Sequence, residues 1–476
     1  MKKLILAVVL LSALNCYAQA GSLYFMSKLD TILKYSLFDS TQIAISVYDL
    51  RDGKSIYERN EKLLVRPGST LKIFTTAAAL QFLKADYNLK TNLYLDKPVT
   101  DSVYTGNIYI EGGFDPEFSI SGIETFVSAL KNLGIKKITG NIYADISKMD
   151  SLFWSSGWMW DDDPGKFVPY MNSLPVNKNS IMVITSPAKT GESAQVKTVP
   201  ETGFVKITNK AKTIEAGDTH ILVTRNWVNR KNDISVDGVI GIAGKPDTTE
   251  VNLVHPEKYL QTLFVEALKR NSIQFNGITD TLKTPAGIKL IGTVSHPLPD
   301  VLKATNKPSD NLNGEMLLRL TAYEQLKRKV SATDGIKYID SLLVLSGIKK
   351  KNYQIVDGSG VSFYNLITCS MMIEILKYIY ANQEMYDVML NSFPIAGVDG
   401  TLAKRMKEFS TLQSVKAKTG TLRGVSNLAG YITTVHKHVM AFAIYIQNFT
   451  GDAKRIRDIQ DQICNAIYLI KSDKDE

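Results

Sequence analysis

At 476 residues the chain exceeds the size at which one hydrophobic core keeps growing, so two or three domains are expected. With 44% hydrophobic and 22% charged residues it reads as an ordinary soluble globular protein, and its formal charge of +9 is spread without the concentrated Lys/Arg tract that nucleic-acid binding would need. The five histidines, His220, His255, His296, His436 and His438, form no H-E-x-x-H or similar spacing, so no metal or cofactor is expected.

The first twenty residues, MKKLILAVVLLSALNCYAQA, place Lys2 and Lys3 before an apolar stretch from Leu4 to Leu14 and end on Ala18-Gln19-Ala20, a small-x-small cleavage pattern. This predicts a signal peptide removed after Ala20 and an exported, periplasmic protein. A retained anchor would need about 20 apolar residues. A lipoprotein signal would use Cys16, but Leu14-Asn15 before it fit that pattern poorly. Removing Lys2 and Lys3 takes the charge from +9 to +7, which suits a protein working near anionic envelope polymers. The mature chain keeps Cys369 and Cys464, whose pairing an oxidising compartment would permit.

QIAISVYDL and KSIYERN flank the turn RDGK and predict a hairpin, followed by a helix beginning near Ser69. From about 96 to 285 the texture becomes short β-like runs broken by Gly, Asn, Asp and Pro, with helical periodicity only in IETFVSALKNLG and PEKYLQTLFVEALKRNS. Helices then follow in NLNGEMLLRLTAYEQL, GIKYIDSLLVLSG and the single run CSMMIEILKYIYANQEMYDVML. Two strands, VSNLAGYITTV and HVMAFAIYIQNF, and a helix from about Ala453 to Lys471 close the chain. Strands at both ends with helices between predict one discontinuous α/β domain, 21–95 with 286–476. The β-rich insertion at 96–285 is expected to hold two domains, the inner one about 186–245.

The chemistry-bearing stretch is RPGSTLKIFTTAAAL, where a helix puts Ser69 and Lys72, three apart, on one face. The bland alternative makes Ser69 an N-cap and Lys72 a solvated side chain. The same S-x-x-K spacing recurs at Ser128/Lys131, Ser186/Lys189 and Ser346/Lys349, so it decides nothing alone. Two further elements follow in order: Ser309-Asp310-Asn311, the only S-x-N in the chain, and Lys418-Thr419-Gly420 at the start of the terminal hairpin. Taken singly, the first is commonly a cap or turn and the second a strand start. Together, in order, on a helix, a loop and a strand, they are the set found in penicillin-binding proteins and class A β-lactamases.

With these motifs in place the chain resembles the class C low-molecular-mass penicillin-binding proteins, the D-alanyl-D-alanine carboxypeptidase/endopeptidase family of the penicillin-binding protein 4 type. The likeness runs through GNIYIEGGFDPEFS, GWMWDDD, VDGSGVSFYNLIT, PIAGVDGTLAKRM and VKAKTGTLRGVSNLAGYI. From Ser69 to Ser309 is 309 − 69 = 240 residues, room for inserted domains that a class A β-lactamase lacks. The resemblance implies a transpeptidase-like α/β domain with an antiparallel sheet and helices. It also implies peptidoglycan stem peptides as substrates and β-lactams as covalent inhibitors.

It further implies the roles of the site residues. Ser69 would be acylated after losing its proton to Lys72, a lysine kept neutral by desolvation and by Lys418. The N–H groups of Ser69 and Thr421 would hold the oxyanion, and Ser309 would relay a proton to the departing amine. Asn311 would bind the substrate amide, and Lys418, Thr419, Gly420 and Thr421 would hold the terminal carboxylate. The family usually carries arginine where this chain has Phe363, and Arg423, on the strand expected to line the cleft, is either the replacement for that charge or a solvated strand residue. A catalytically silent wall-binding protein and an esterase or β-lactamase-like hydrolase are the competing readings. The first has no need of both lysines.

Overall fold

The computed structural model describes residues 25–349 and 352–470, so the expected signal peptide, its cleavage at Ala20 and Cys16 lie outside the described residues. The chain forms two compact units: Met1–Ala85 with Leu302–Asp310 and Ile336–Glu476, and Asp86–Val301 with Asn311–Gly335.

The first unit is built on a five-stranded antiparallel sheet, in the order Val415–Leu422, Val425–Thr433, Val439–Gln447, Gln42–Asp49, Lys54–Arg59. Its two ends in sequence meet directly, from Gln42 opposite Gln447 to Asp49 opposite Met440. In Val425–Thr433 every residue but Thr433 is buried, polar Ser426 and Asn427 included. Helix Ala453–Tyr468 lays Ile456, Ile459, Ile463 and Ile467, at helical spacing, into the same core as Ile45, Leu428, Phe442 and Ile444 of the sheet. From helix Cys369–Ala381, the Leu376 carbonyl accepts from the hydroxyl of Tyr431 at 2.8 Å. Helix Lys72–Leu83 is buried nearly all round, so its alanines and leucines serve as core.

The run expected as one helix at 369–390 divides into Cys369–Ala381 and Gln383–Ser392. Asn382 is extended, at φ −110° and ψ 105°, and its side chain accepts from Met385 N, capping the second helix. Cys369 and Cys464 are both buried free thiols, so the disulfide that the compartment would permit is not formed.

The second unit is β-rich. A mixed five-stranded sheet runs Thr279–Thr281, Ile142–Asp145, Ile108–Glu111, Asn88–Leu95, Lys289–Pro297. Helices Ile120–Asn132 and Pro256–Arg270 add Phe126, Leu130, Leu260 and Phe264 to its core. Smaller sheets are centred on Ser180–Ser186 and Asp233–Gly241. In the GWMWDDD loop Trp158 is buried, Trp160 is 69% exposed against Trp227, and Asp163 is buried in an ion pair with Arg225.

Helix Asn311–Leu326, grouped by the sequence reading with the catalytic half, clusters with this second unit. The reason is polar. Its Asn313 donates to Glu117 Oε1 at 2.7 Å and accepts from Lys178 at 2.6 Å, and its buried Glu315 accepts from Ser155 and from Arg319. These partners all belong to the second unit, and buried polar groups are costly unless so paired.

Candidate active site

Ser69 lies in a 3₁₀ turn, Gly68–Leu71, that runs straight into helix Lys72–Leu83. It makes no side-chain cap there, and Lys72 is 0% exposed, so neither half of the bland reading describes this pair. Lys72 Nζ donates to Ser69 Oγ at 3.0 Å and to the carbonyl of Ser359 at 2.7 Å. Side chains of the sheet fix the turn. Asn427 Nδ2 donates to the carbonyls of Arg66 and Pro67 at 2.8 and 2.9 Å, Gln447 binds Arg66 through both its N–H and its carbonyl, and Thr70 meets Tyr445 hydroxyl to hydroxyl at 3.1 Å.

The DGSG run is a loop wound around one carboxylate. Buried Asp357 accepts from Gly360 N at 2.9 Å, Ser362 N at 2.7 Å and Asn365 Nδ2 at 2.7 Å. This turns the Ser359 carbonyl to Lys72 and the Gly358 carbonyl to Thr75. Gly360 sits at φ +83°, and a Cβ there would come 1.9 Å from the Gly68 carbonyl oxygen. Only glycine satisfies both conditions.

A second dyad completes the cluster. Lys418, on strand Val415–Leu422, is also 0% exposed and donates to Ser309 Oγ at 2.8 Å and to the Thr419 carbonyl at 3.0 Å. Ser309 is left-handed, at φ +67°. Its loop is held by Lys307, which donates to the Phe393 carbonyl at 3.0 Å and pairs with Asp399, while the Lys307 carbonyl accepts from Thr401 N. Burial, and secondarily the charge of Lys72, holds the Lys418 amine well below the ordinary lysine range. Repulsion between two ammonium groups is mutual, so the pair sheds a proton more readily than two lysines in water.

Strand and turn touch backbone to backbone. A Cβ on Gly420 would lie 2.4 Å from the Pro67 carbonyl oxygen and 3.2 Å from Ser69 N, and one on Gly68 would lie 3.1 Å from Thr421 N. The first unit thus brings together Ser69, Lys72, Ser309, Lys418, Gly420 and Thr421. Thr419 Oγ1 donates to Thr401 Oγ1 at 2.8 Å. Thr401 and Ser359 were not singled out from the sequence, although both lie in stretches that carried the resemblance. Asn311 starts a helix of the second unit and donates to the Phe167 carbonyl at 2.6 Å.

Arg423 departs from its expected place. It occupies the two-residue turn between strands Val415–Leu422 and Val425–Thr433, exposed, with Gly424 at φ +69° beside it. The tight Leu422–Val425 pairing leaves it off the strand. At Phe363 a guanidinium is nevertheless present. Arg66 lies over that ring, 5.6 Å from its centroid, and its Nε donates to the Phe363 carbonyl at 3.3 Å.

A serine bonded to a buried lysine, beside a second serine–lysine pair and a strand edge, is the equipment of a serine acyl-transfer enzyme. The model of the D-Ala-D-Ala carboxypeptidase 3 (S13) family matches residues 25–467. The chain is 28% identical over 425 residues, 88% of each chain, to D-alanyl-D-alanine carboxypeptidase DacB of Haemophilus influenzae. The crystal structure of penicillin binding protein 4 (dacB) from Haemophilus influenzae is similar at a TM-score of 0.79 and 26% identity, over 92% of this chain and 99% of that one. Its complex with a novel β-lactam gives 0.75 and 25%, over 94% and 99%. The chain belongs to the D-Ala-D-Ala carboxypeptidase 3 (S13) family, and its mixed α/β architecture is that of penicillin binding protein 4.

Proposed function

We propose that this protein is an exported serine carboxypeptidase that removes the terminal D-alanine from peptidoglycan stem peptides through an acyl-enzyme on Ser69. One observation carries the reading: the fully buried Lys72 Nζ lies 3.0 Å from the Ser69 hydroxyl, while Lys418 brings a second buried lysine to the same neighbourhood. In the neutral state Lys72 accepts the Ser69 proton across that contact as Oγ attacks the penultimate D-alanine carbonyl. The N–H groups of Ser69 and Thr421 take the oxyanion, each worth about 3 kcal/mol. Ser309 passes a proton to the leaving amine, and water then frees the acyl group. Lys418, Thr419, Gly420 and Thr421 receive the terminal carboxylate, and Asn311 the substrate amide.

The first unit is in this reading the catalytic domain and the second an insertion. Export follows from the sequence of residues 1–20, with cleavage after Ala20. β-Lactams act as substrates whose acyl-enzyme persists, as the complex of the Haemophilus relative with a β-lactam supports. Arg66, rather than Arg423, supplies the guanidinium near Phe363 that selects stems with a free carboxylate on the third residue; its Nε contact and ring stacking favour this assignment.

The test is incubation with purified muropeptides and separation of the products. Loss of one D-alanine from pentapeptide stems supports the reading, and an unchanged mixture, or attack on a sugar or ester bond instead, overturns it.

A further inference from the structure

The second unit contains a cavity of about 340 Å³, at the lower end of the range for small-ligand sites, that the chemistry above does not use. One wall is aromatic: Phe153 and Tyr170 stack at 5.4 Å with planes 14° apart. The Arg230 guanidinium stands 4.3 Å from the Phe153 ring centroid. At the floor, Asn172, 6% exposed, donates to Glu257 Oε2 at 3.2 Å, and His255 Nδ1 lies 3.4 Å from the other Glu257 oxygen. Lys329 also lines the cavity, as does the N-terminus of helix Pro256–Arg270.

These groups sort by charge. Of the two acids in the lining, Glu257 is tied to Asn172 and His255 and Asp150 accepts from Leu152 N at 3.3 Å, whereas Arg230 and Lys329 make no ion pair among the described residues. An adjoining hollow of about 380 Å³ shares Arg230, Val254 and His255 and adds Lys206, Lys231 and Asp233, so three cations against one acid leave a positive surplus there. The helix N-terminus adds to it. The ligand called for has a free carboxylate for the cations, an amide N–H for Glu257 and a small apolar body for the wall formed by Phe153, Tyr170 and Val254. The C-terminal residue of an acylated peptide has all three within one residue.

We propose that this cavity is a second, non-catalytic subsite that holds the carboxylate end of a wall peptide other than the one being cut. The proposal rests on the reading that the protein acts on wall peptides. Its separate test begins with the full-length protein acylated by penicillin, so that the Ser69 site is filled, with acylation confirmed by mass spectrometry. N-acetyl-D-alanyl-D-alanine, its C-terminal amide and N-acetylglucosamine are then titrated against it by calorimetry or NMR.

The acid should bind saturably, and the amide at least about tenfold more weakly, the loss expected when a charge-assisted bond goes. Arg230→Gln and Lys329→Gln should each weaken the acid by roughly tenfold, with Arg230→Lys in between. Penicillin acylation should be unchanged in all three variants. Equal binding of acid and amide, undiminished binding by Arg230→Gln, no saturable binding, or binding of the sugar alone each overturns the subsite. Failure to acylate strikes the carboxypeptidase reading instead. The acid–amide contrast and its response to Arg230→Gln are then read on the unacylated protein and still decide the cavity.

Discussion

Lys72 and Lys418 have no exposed surface, and each reaches a serine hydroxyl, whereas Arg230 and Lys329 stand exposed around a cavity in the second unit. Desolvation penalises the charged form of a lysine, so the buried pair is tuned toward giving up a proton. The exposed cations are the ones proposed to hold an anion. Strands of the two units also differ in exposure: Val425–Thr433 and Val439–Gln447 of the first are buried almost throughout, while Gln195–Val199 and Lys289–Pro297 of the second are largely open. In the two proposals above, identical formal charge serves proton transfer in one place and anion binding in another, according to what packs around it.

The sharpest way to break this comparison is Ser69→Ala. It should abolish the covalent penicillin adduct and lower D-alanine release by at least roughly a thousandfold. An adduct that persists in the variant, or maps to Ser128, Ser186 or Ser346, removes the buried site from the chemistry. Lys72→Met should slow acylation by about 10²–10⁴-fold with the fold retained, as loss of a general base does. Stopped-flow acylation and circular dichroism together read this.

Gly360→Ala tests the loop that presents the Ser359 carbonyl. Left-handed backbone strain and a 1.9 Å approach to the Gly68 oxygen should cost about 2–5 kcal/mol, seen as a lower Tm, and should slow acylation as well. A normal Tm with normal acylation would show that this packing is slack.

Lys418→Met sharpens the electrostatic half. Because folding lowers the Lys418 pKa, the unfolded chain binds more protons between that lowered value and the ordinary 10.5. Stability of the parent should therefore rise with pH across that window, and the variant should lack this component. Denaturant midpoints of the two proteins, compared at neutral pH and near pH 10, should shift relative to one another in the parent's favour as pH rises. A pH-independent difference would mean that the burial of Lys418 carries no protonation penalty.

The smallest effect concerns the third stem residue. Arg66→Gln should reduce the preference for a free over an amidated carboxylate by roughly three- to tenfold, and Arg423→Gln should leave it unchanged. The reverse ranking would return the role to the hairpin turn.

Much of the first unit was legible because its signals are local or continuous. The hairpin Gln42–Arg59 announces itself through RDGK, the last strand through the unbroken apolar run from Val439 to Ile446, and Ser69 and Lys72 through i,i+3 geometry. The break at Asn382 was signalled too, by a side chain suited to capping, but the strong apolar period on both sides of it masked the signal. Gly424 likewise marks a turn that takes Arg423 off the strand. Other features depend on distant contacts. The left-handed backbone of Ser309 rests on Lys307 reaching Phe393 and Asp399, and the grouping of helix Asn311–Leu326 rests on Glu117, Ser155 and Lys178. No window of sequence contains those partners together.

The carbonyls of Arg66 and Pro67 are gripped by Asn427 and Gln447, side chains with no step assigned to them in the proposed reaction. Ser69, the proposed nucleophile, is therefore registered against the sheet rather than against its own helix, and a ligand meets a turn with little latitude to reshape itself. Under antibiotic pressure such an architecture leaves few routes of escape by displacing the serine. Variants that survive the drug while keeping the enzyme working should alter the walls that the ligand brushes, and Asn427 and Gln447 should be among the last positions to drift.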